Sequence, residues 1–326
     1  MSEYELIVAD GAPESLVRVP GHRPDGPVLR VGVVQHAWQP DAAALVTELR
    51  GAIGLAASAG ARIVFLPEIA LLRYPADDVP APGTRADAIA EPVVGGPTHA
   101  LAAAAAAEHG IHVHISLFER TGASDGRGLN TAIVVAPSGE VVARTRKTHI
   151  PVTAGYYEDH WFEAGSAGDA YPVHELPGIE GLRLGLPTCW DEWFPEVARA
   201  YGLAGANVLA YPTAIGSEPD HPGVDTEPMW RQVIVAHGIE NGLFMVVPNR
   251  TGMEPRSDGS PGNVFYGSSF VSDPYGRILV RAPRDRKAVL VADLDLAQGR
   301  DWIDLFPFFR TRRPDTYGPL VGEVPA

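Results

Sequence analysis

Cys189 is the single cysteine of this 326-residue chain, and it stands in Gly185-Leu-Pro-Thr-Cys189-Trp-Asp-Glu-Trp-Phe-Pro195-Glu, where an apolar stretch stops and a helical pattern begins. A sharp strand-to-helix turn there would push the thiol out of a sheet and make it a nucleophile. A lone cysteine reads equally as a small buried hydrophobe. Two other reactive groups also fall at the ends of predicted strands: Glu68 in Phe65-Leu-Pro-Glu68, and Lys147 in Arg146-Lys147-Thr-His149-Ile-Pro151. Together they form a set for covalent catalysis. An ordinary thiol, with a pKa of about 8.5, is only slightly ionised at neutral pH. A carboxylate can take its proton, and an ammonium can steady the oxyanion that grows as sulfur adds to a carbonyl or nitrile carbon. Taken singly, Glu68 reads as a first-turn helix carboxylate and Lys147 as a solvated charge; their order and wording together carry the signal.

The elements that must hold these groups follow from periodicity. Leu29 to Val34 reads as a strand, Asp41 caps a helix running through Leu45, Leu49 and Ile53, and Arg62 to Leu66 reads as a second strand. This βαβ unit recurs: helix Thr98 to Glu108 with strand Ile111 to Phe118, helix Glu196 to Leu203 with strand Asn207 to Tyr211, and helix Met229 to Asn241 with strand Leu243 to Val247. Leu182 to Leu186 reads as a buried strand leading to the cysteine. Two strand-turn-strand segments, Thr131 to Ala143 and Ser268 to Val280, each place a glycine two residues after a proline, a turn signature between β-branched residues. Two such halves predict an α/β fold of two face-to-face sheets with helices outside, a four-layer αββα sandwich. Residues 1–28, with Pro13, Pro20, Pro24 and Pro27, read as an N-terminal arm over the surface. The tail from 298 to 326 carries Trp302, Phe306, Phe308, Phe309, Arg310, Arg312 and Arg313 and reads as a subunit contact.

Composition sets the limits. With 45% hydrophobic and 20% charged residues the chain can build a large core. A formal net charge of −14 argues against nucleic-acid and anionic-membrane partners and permits a cationic small-molecule substrate. One cysteine excludes an internal disulfide framework, and neither a signal peptide nor a membrane-length apolar run is found, so a cytoplasmic protein is expected. His112 and His114 alternate on one strand face, but no carboxylate or cysteine pattern completes a metal site, so no metal is expected.

With these segments in place, the chain resembles the nitrilase superfamily of carbon–nitrogen hydrolases from about Leu29 to the tail. The resemblance implies Glu68 as general base, Lys147 as oxyanion stabiliser and Cys189 as nucleophile, with the Trp190 N–H completing the oxyanion hole. It also implies a second glutamate, Glu158, in Tyr156-Tyr-Glu158-Asp-His-Trp-Phe-Glu-Ala-Gly165. The implied enzyme is a cofactor-free amidohydrolase with a nitrilase-type αββα domain over 29–297, assembled as a homodimer or higher homo-oligomer.

Within that superfamily the chain is similar to the N-carbamoylputrescine amidase branch, through His149-Ile-Pro, Gly155-Tyr-Tyr-Glu, Cys189-Trp-Asp-Glu-Trp and Tyr211-Pro-Thr-Ala-Ile-Gly-Ser-Glu218-Pro. This resemblance implies a substrate site with Glu218 facing a terminal ammonium, Tyr74 and Trp190 flanking a methylene chain, Ala214 leaving room for it, and His149 nearby. Relatives acting on carbamoylated amino acids place arginines shortly after the cysteine to hold a carboxylate. Here Asp191, Glu192 and Trp193 occupy those places. Glu192 reads equally as lining the pocket mouth or capping the following helix. Met229-Trp230 and the wording around Asn249-Arg-Thr-Gly252 depart from the branch. An aliphatic amide, a nitrile or another N-carbamoyl compound is the alternative substrate, and a non-catalytic metabolite-binding scaffold the remote alternative. The intact Glu-Lys-Cys set speaks against the scaffold.

Overall fold

The computed structural model describes residues 4–18, 26–221 and 223–322. Its architecture is the expected four-layer sandwich. The first sheet runs Glu5–Val8, Ala288–Asp295, Val28–Gln35, Ile63–Phe65, His112–Glu119, Gly128–Val135 and Val141–Arg146, with Phe162–Glu163 pairing onto Gly128–Val135. The second runs Val173–His174, Leu184–Gly185, Val208–Ala210, Phe244–Val247, Phe270–Ser272 and Ile278–Arg281.

Alternation along each strand sorts side chains into layers. Val31, Val33, Phe65 and Val134 of the first sheet share one core with Leu184, Val208, Phe244 and Val271 of the second. The opposite faces are covered by helices. Val34, Val64, Val113 and Val289 pack against Ala42–Ser58 and Pro97–His109, while Leu209, Met245 and Phe270 pack against Pro195–Leu203 and Glu227–Asn241. Asp41 caps the first helix as expected, accepting from the Ala44 amide at 3.0 Å. Gly110 and Gly242 end the second and fourth helices at φ 64° and 65°, a left-handed turn that glycine adopts without a Cβ clash.

Several elements differ in extent. The buried run Leu182 to Leu186 is a strand only over Leu184–Gly185, and the fourth helix starts at Glu227, with Pro228 in its first turn. Residues of the N-terminal arm enter the fold, since Glu5–Val8 pairs in parallel with Ala288–Asp295 from Glu5↔Ala288 to Val8↔Val291. Residues 19–25 of that arm and 323–326 of the tail lie outside the described residues. In the tail, helix Gln298–Leu305 docks through the Trp302 indole N–H, which donates to Ile239 O at 2.8 Å. Leu305 and Phe306 remain exposed. No helix among the described residues is long and apolar enough to cross a membrane.

Candidate active site

Lys147 leaves the strand Val141–Arg146, and its amide donates to Asn130 O on the neighbouring strand at 2.9 Å. The Asn130 side chain in turn donates through Nδ2 to Glu68 Oε1 at 2.7 Å. Glu68 follows Ile63–Phe65, and its amide donates to Thr213 O at 3.4 Å, while the Cys189 amide donates to Pro212 O at 3.0 Å. Two successive carbonyls therefore register the cysteine backbone against that of the glutamate. The lysine closes the group: Nζ donates to Glu68 Oε1 at 3.0 Å and to Glu158 Oε1 and Oε2 at 2.9 and 2.7 Å. All three side chains are 0% exposed.

Such burial is costly unless each charge is paired. It disfavours the Lys147 ammonium, but the Glu158 and Glu68 carboxylates outweigh it, so the pKa stands well above the ordinary lysine value and the group stays charged. Glu158 is pushed up to about 7 by burial, against the pull of Lys147, with Glu68 adding repulsion. Burial, followed by Glu68, drives the Cys189 thiol well above its usual range, against the opposing effect of Lys147. Burial and Glu68 both favour the neutral thiol over the thiolate. Oε2 of Glu68 is buried and has no hydrogen-bond partner among the described residues.

Cys189 opens the single turn Cys189–Trp193 with φ 44°, a conformation few non-glycine residues tolerate. Asp191 holds the turn. Its Oδ2 accepts from the amides of Thr188 at 3.0 Å and Thr148 at 3.3 Å, and its Oδ1 accepts from the His149 amide at 2.9 Å and lies 2.7 Å from His149 Nδ1. One carboxylate thus ties the lysine segment to the cysteine turn. Trp190 occupies the second position of that turn.

This arrangement is matched by kinship. The sequence pattern described as Carbon-nitrogen hydrolase matches residues 30–304. The chain belongs to the carbon–nitrogen hydrolase family. It is 32% identical over 293 residues to a citrullinase of Francisella tularensis subsp. tularensis, covering 90% of this chain and 98% of that one. It is 37% identical over 234 residues to an N-carbamoylputrescine amidase of Arabidopsis thaliana, covering 71% and 76%. The crystal structure of a carbon-nitrogen hydrolase from Helicobacter pylori G27 superposes with a TM-score of 0.76 at 27% identity, covering 92% of this chain and all of that one. Together these place the hydrolase among nitrilase-superfamily enzymes that act on amides.

The remaining candidates of this carbon–nitrogen hydrolase are distributed unevenly. Tyr74 reaches the cluster through its hydroxyl, which donates to Glu158 Oε1 at 2.7 Å; its ring packs with Tyr156, Ala214 and Phe265. Tyr74 thus grips the second glutamate. His149 stacks on Phe194 with ring centroids 3.8 Å apart and is tied to Asp191, so it braces the turn. Trp190 is half-buried and tilted against Trp193. Glu218 is half-buried and accepts from Thr226 Oγ1 at 3.4 Å. Of the two readings of Glu192, neither the pocket mouth nor a helix cap describes its position: it is fully buried, and burial raises its pKa well above the carboxylate range. The Thr213 hydroxyl donates towards its Oε2 at 3.3 Å and towards Tyr211 O at 2.9 Å, one hydrogen facing two acceptors.

Sequence reasoning did not find Asn130, a lone amide within an apolar strand, nor the bracing role of Asp191. A surface cavity of about 800 Å³ lined by Leu176, Ile179, Arg183, Leu296 and Arg300 shares no residue with the cluster. Among the described residues no group of His, Cys, Asp and Glu suits a metal ion. His114 lies against Phe65, and burial lowers its pKa to about 3, so it is neutral.

Proposed function

We propose that this carbon–nitrogen hydrolase cleaves the ureido group of N-carbamoylputrescine, or of a similar ureido-amine, through a thioester on Cys189. Supporting this most strongly is the buried Lys147 ammonium held between Glu68 and Glu158, beside a thiol on a strained turn. As Sγ attacks the ureido carbonyl carbon, its proton passes to the unpartnered Oε2 of Glu68. The Lys147 ammonium and the Trp190 N–H hold the oxyanion. Collapse of the adduct expels an amine, which takes the proton from Glu68. Water activated by Glu68, with Glu158 keeping the lysine in place, then hydrolyses the thioester and regenerates the thiol.

The cationic preference rests on charge. N-carbamoylputrescine and citrulline carry the ureido group and the ammonium at the same separation, and citrulline adds a carboxylate. Glu218 supplies an anion for the ammonium, and Asp191, Glu192 and Trp193 leave no arginine shortly after the cysteine to hold a carboxylate. Citrulline is the second reading, favoured by the near-complete coverage of the Francisella citrullinase. Ammonia release from the two compounds, in wild type and in Glu218→Gln, separates them. Faster turnover of N-carbamoylputrescine that collapses in Glu218→Gln supports the first reading; faster turnover of citrulline overturns it.

A further inference from the structure

Ile69, directly after Glu68, has φ 45°, an outlier for a β-branched residue. Such a conformation persists only where its surroundings over-determine it, and Arg250 supplies that constraint. The Arg250 side chain is fully buried, and its Nε and Nη2 donate to Glu68 O at 3.1 and 2.8 Å. Nη2 also donates to Ile69 O, and Nη1 donates to Glu254 Oε1 at 2.6 Å. The other oxygen of Glu254 accepts from the Tyr74 amide at 2.7 Å, and Tyr74 is the residue whose hydroxyl grips Glu158. One ion pair thus reaches the backbone of the first glutamate on one side and the tyrosine that holds the second on the other.

We propose that Arg250 and Glu254 form a positioning clamp that sets the placement of the Glu68 and Glu158 carboxylates around Lys147. Both side chains are buried, and their polar atoms are taken up by protein partners. The guanidinium is suited to the task because its planar fork can serve two carbonyls and a carboxylate at once, which a lysine cannot. The inference rests on the catalytic reading above, since it concerns how that machinery is held.

The test uses Glu254→Gln, which keeps the shape of the side chain but removes the charge facing Arg250, and Arg250→Lys, which keeps the charge but removes the fork. Both are assayed for kcat and KM on the wild type's best ureide or amide, with thermal unfolding as a check on folding. Because displacing a reacting group by about 1 Å costs on the order of a hundredfold in rate, kcat should fall by roughly tenfold to a hundredfold in each, with KM held within about twofold. Adding Tyr74→Phe to Glu254→Gln should cost much less than Tyr74→Phe costs alone, because both act along one chain of contacts. A folded Glu254→Gln enzyme with wild-type kcat and a lower Tm, or strictly additive losses in the pair, overturns the clamp and reduces the two residues to stabilising ones. Absence of hydrolysis by the wild type would overturn the catalytic reading and the clamp with it.

Discussion

Replacing Tyr74 with phenylalanine removes one oxygen and tests the electrostatics of the whole cluster. The lost contact is a 2.7 Å hydrogen bond from a buried hydroxyl to the ionised form of a buried carboxylate, and it opposes the effect of burial, which holds Glu158 at about 7. Hydrogen bonds to charged groups contribute about 1.5–3 kcal/mol. At about 1.4 kcal/mol per pH unit, their loss should carry the Glu158 titration from about 7 to roughly 8–9. Protonated Glu158 no longer anchors Lys147, so kcat/KM at pH 7 should drop by roughly fivefold to fiftyfold and recover as the pH approaches 9. The stability effect has a definite sign. A carboxyl whose folded pKa rises is penalised only where it would otherwise be ionised, so the variant should match wild type in this respect below about pH 7 and lose ground as pH climbs towards 9. The assay is the pH–rate profile, with denaturant melts at pH 6 and pH 9. An acid limb unmoved from that of wild type would refute the idea that Glu158 must be ionised to hold the lysine.

Other perturbations probe separate parts of the framework. Asp191→Ala removes the acceptor of three backbone amides and the partner of His149, so it should destabilise the fold by about 2–4 kcal/mol in a urea melt and lower kcat, because the cysteine turn and the lysine segment are no longer joined. Equal stability in the variant would contradict that linkage. His114→Phe should leave activity unchanged and raise stability by about 1 kcal/mol, since both ring nitrogens are buried beside Phe65 without partners among the described residues. A loss of activity would mean that the histidine serves the site. Glu192→Gln should be nearly silent in kcat at neutral pH if Glu192 is already protonated; a large change in the pH profile would show it to be ionised.

How far the sequence reveals such a site depends on the range of each interaction. Glu68, Lys147 and Cys189 fall at strand ends, and local wording marks those ends because proline and the onset of helical periodicity interrupt the apolar runs. The layers were likewise legible, as alternation in Val31–Val34 and the helical spacing of Leu45, Leu49 and Ile53 dictate which face is buried. What escaped were contacts between distant segments. Arg250 reaches Glu68 across 182 positions and Asn130 reaches it across 62, and neither leaves a periodic trace. Tyr74 was associated with the site, but its hydroxyl partner depends on where the turn Glu158–His160 folds back. The strand Glu5–Val8 was masked by the prolines that follow it, although Leu6, Ile7 and Val8 suit an edge strand.

The central claim is that Cys189 bonds covalently to substrate carbon while Glu68 and Lys147 serve the same atom. Intact-protein mass measurement after rapid acid quench of the enzyme with N-carbamoylputrescine tests it most directly. Wild type should carry an acyl adduct that maps to Cys189, and Cys189→Ala should carry none while remaining folded. Turnover by a folded Cys189→Ala protein, or an adduct mapping to another residue, would contradict the account.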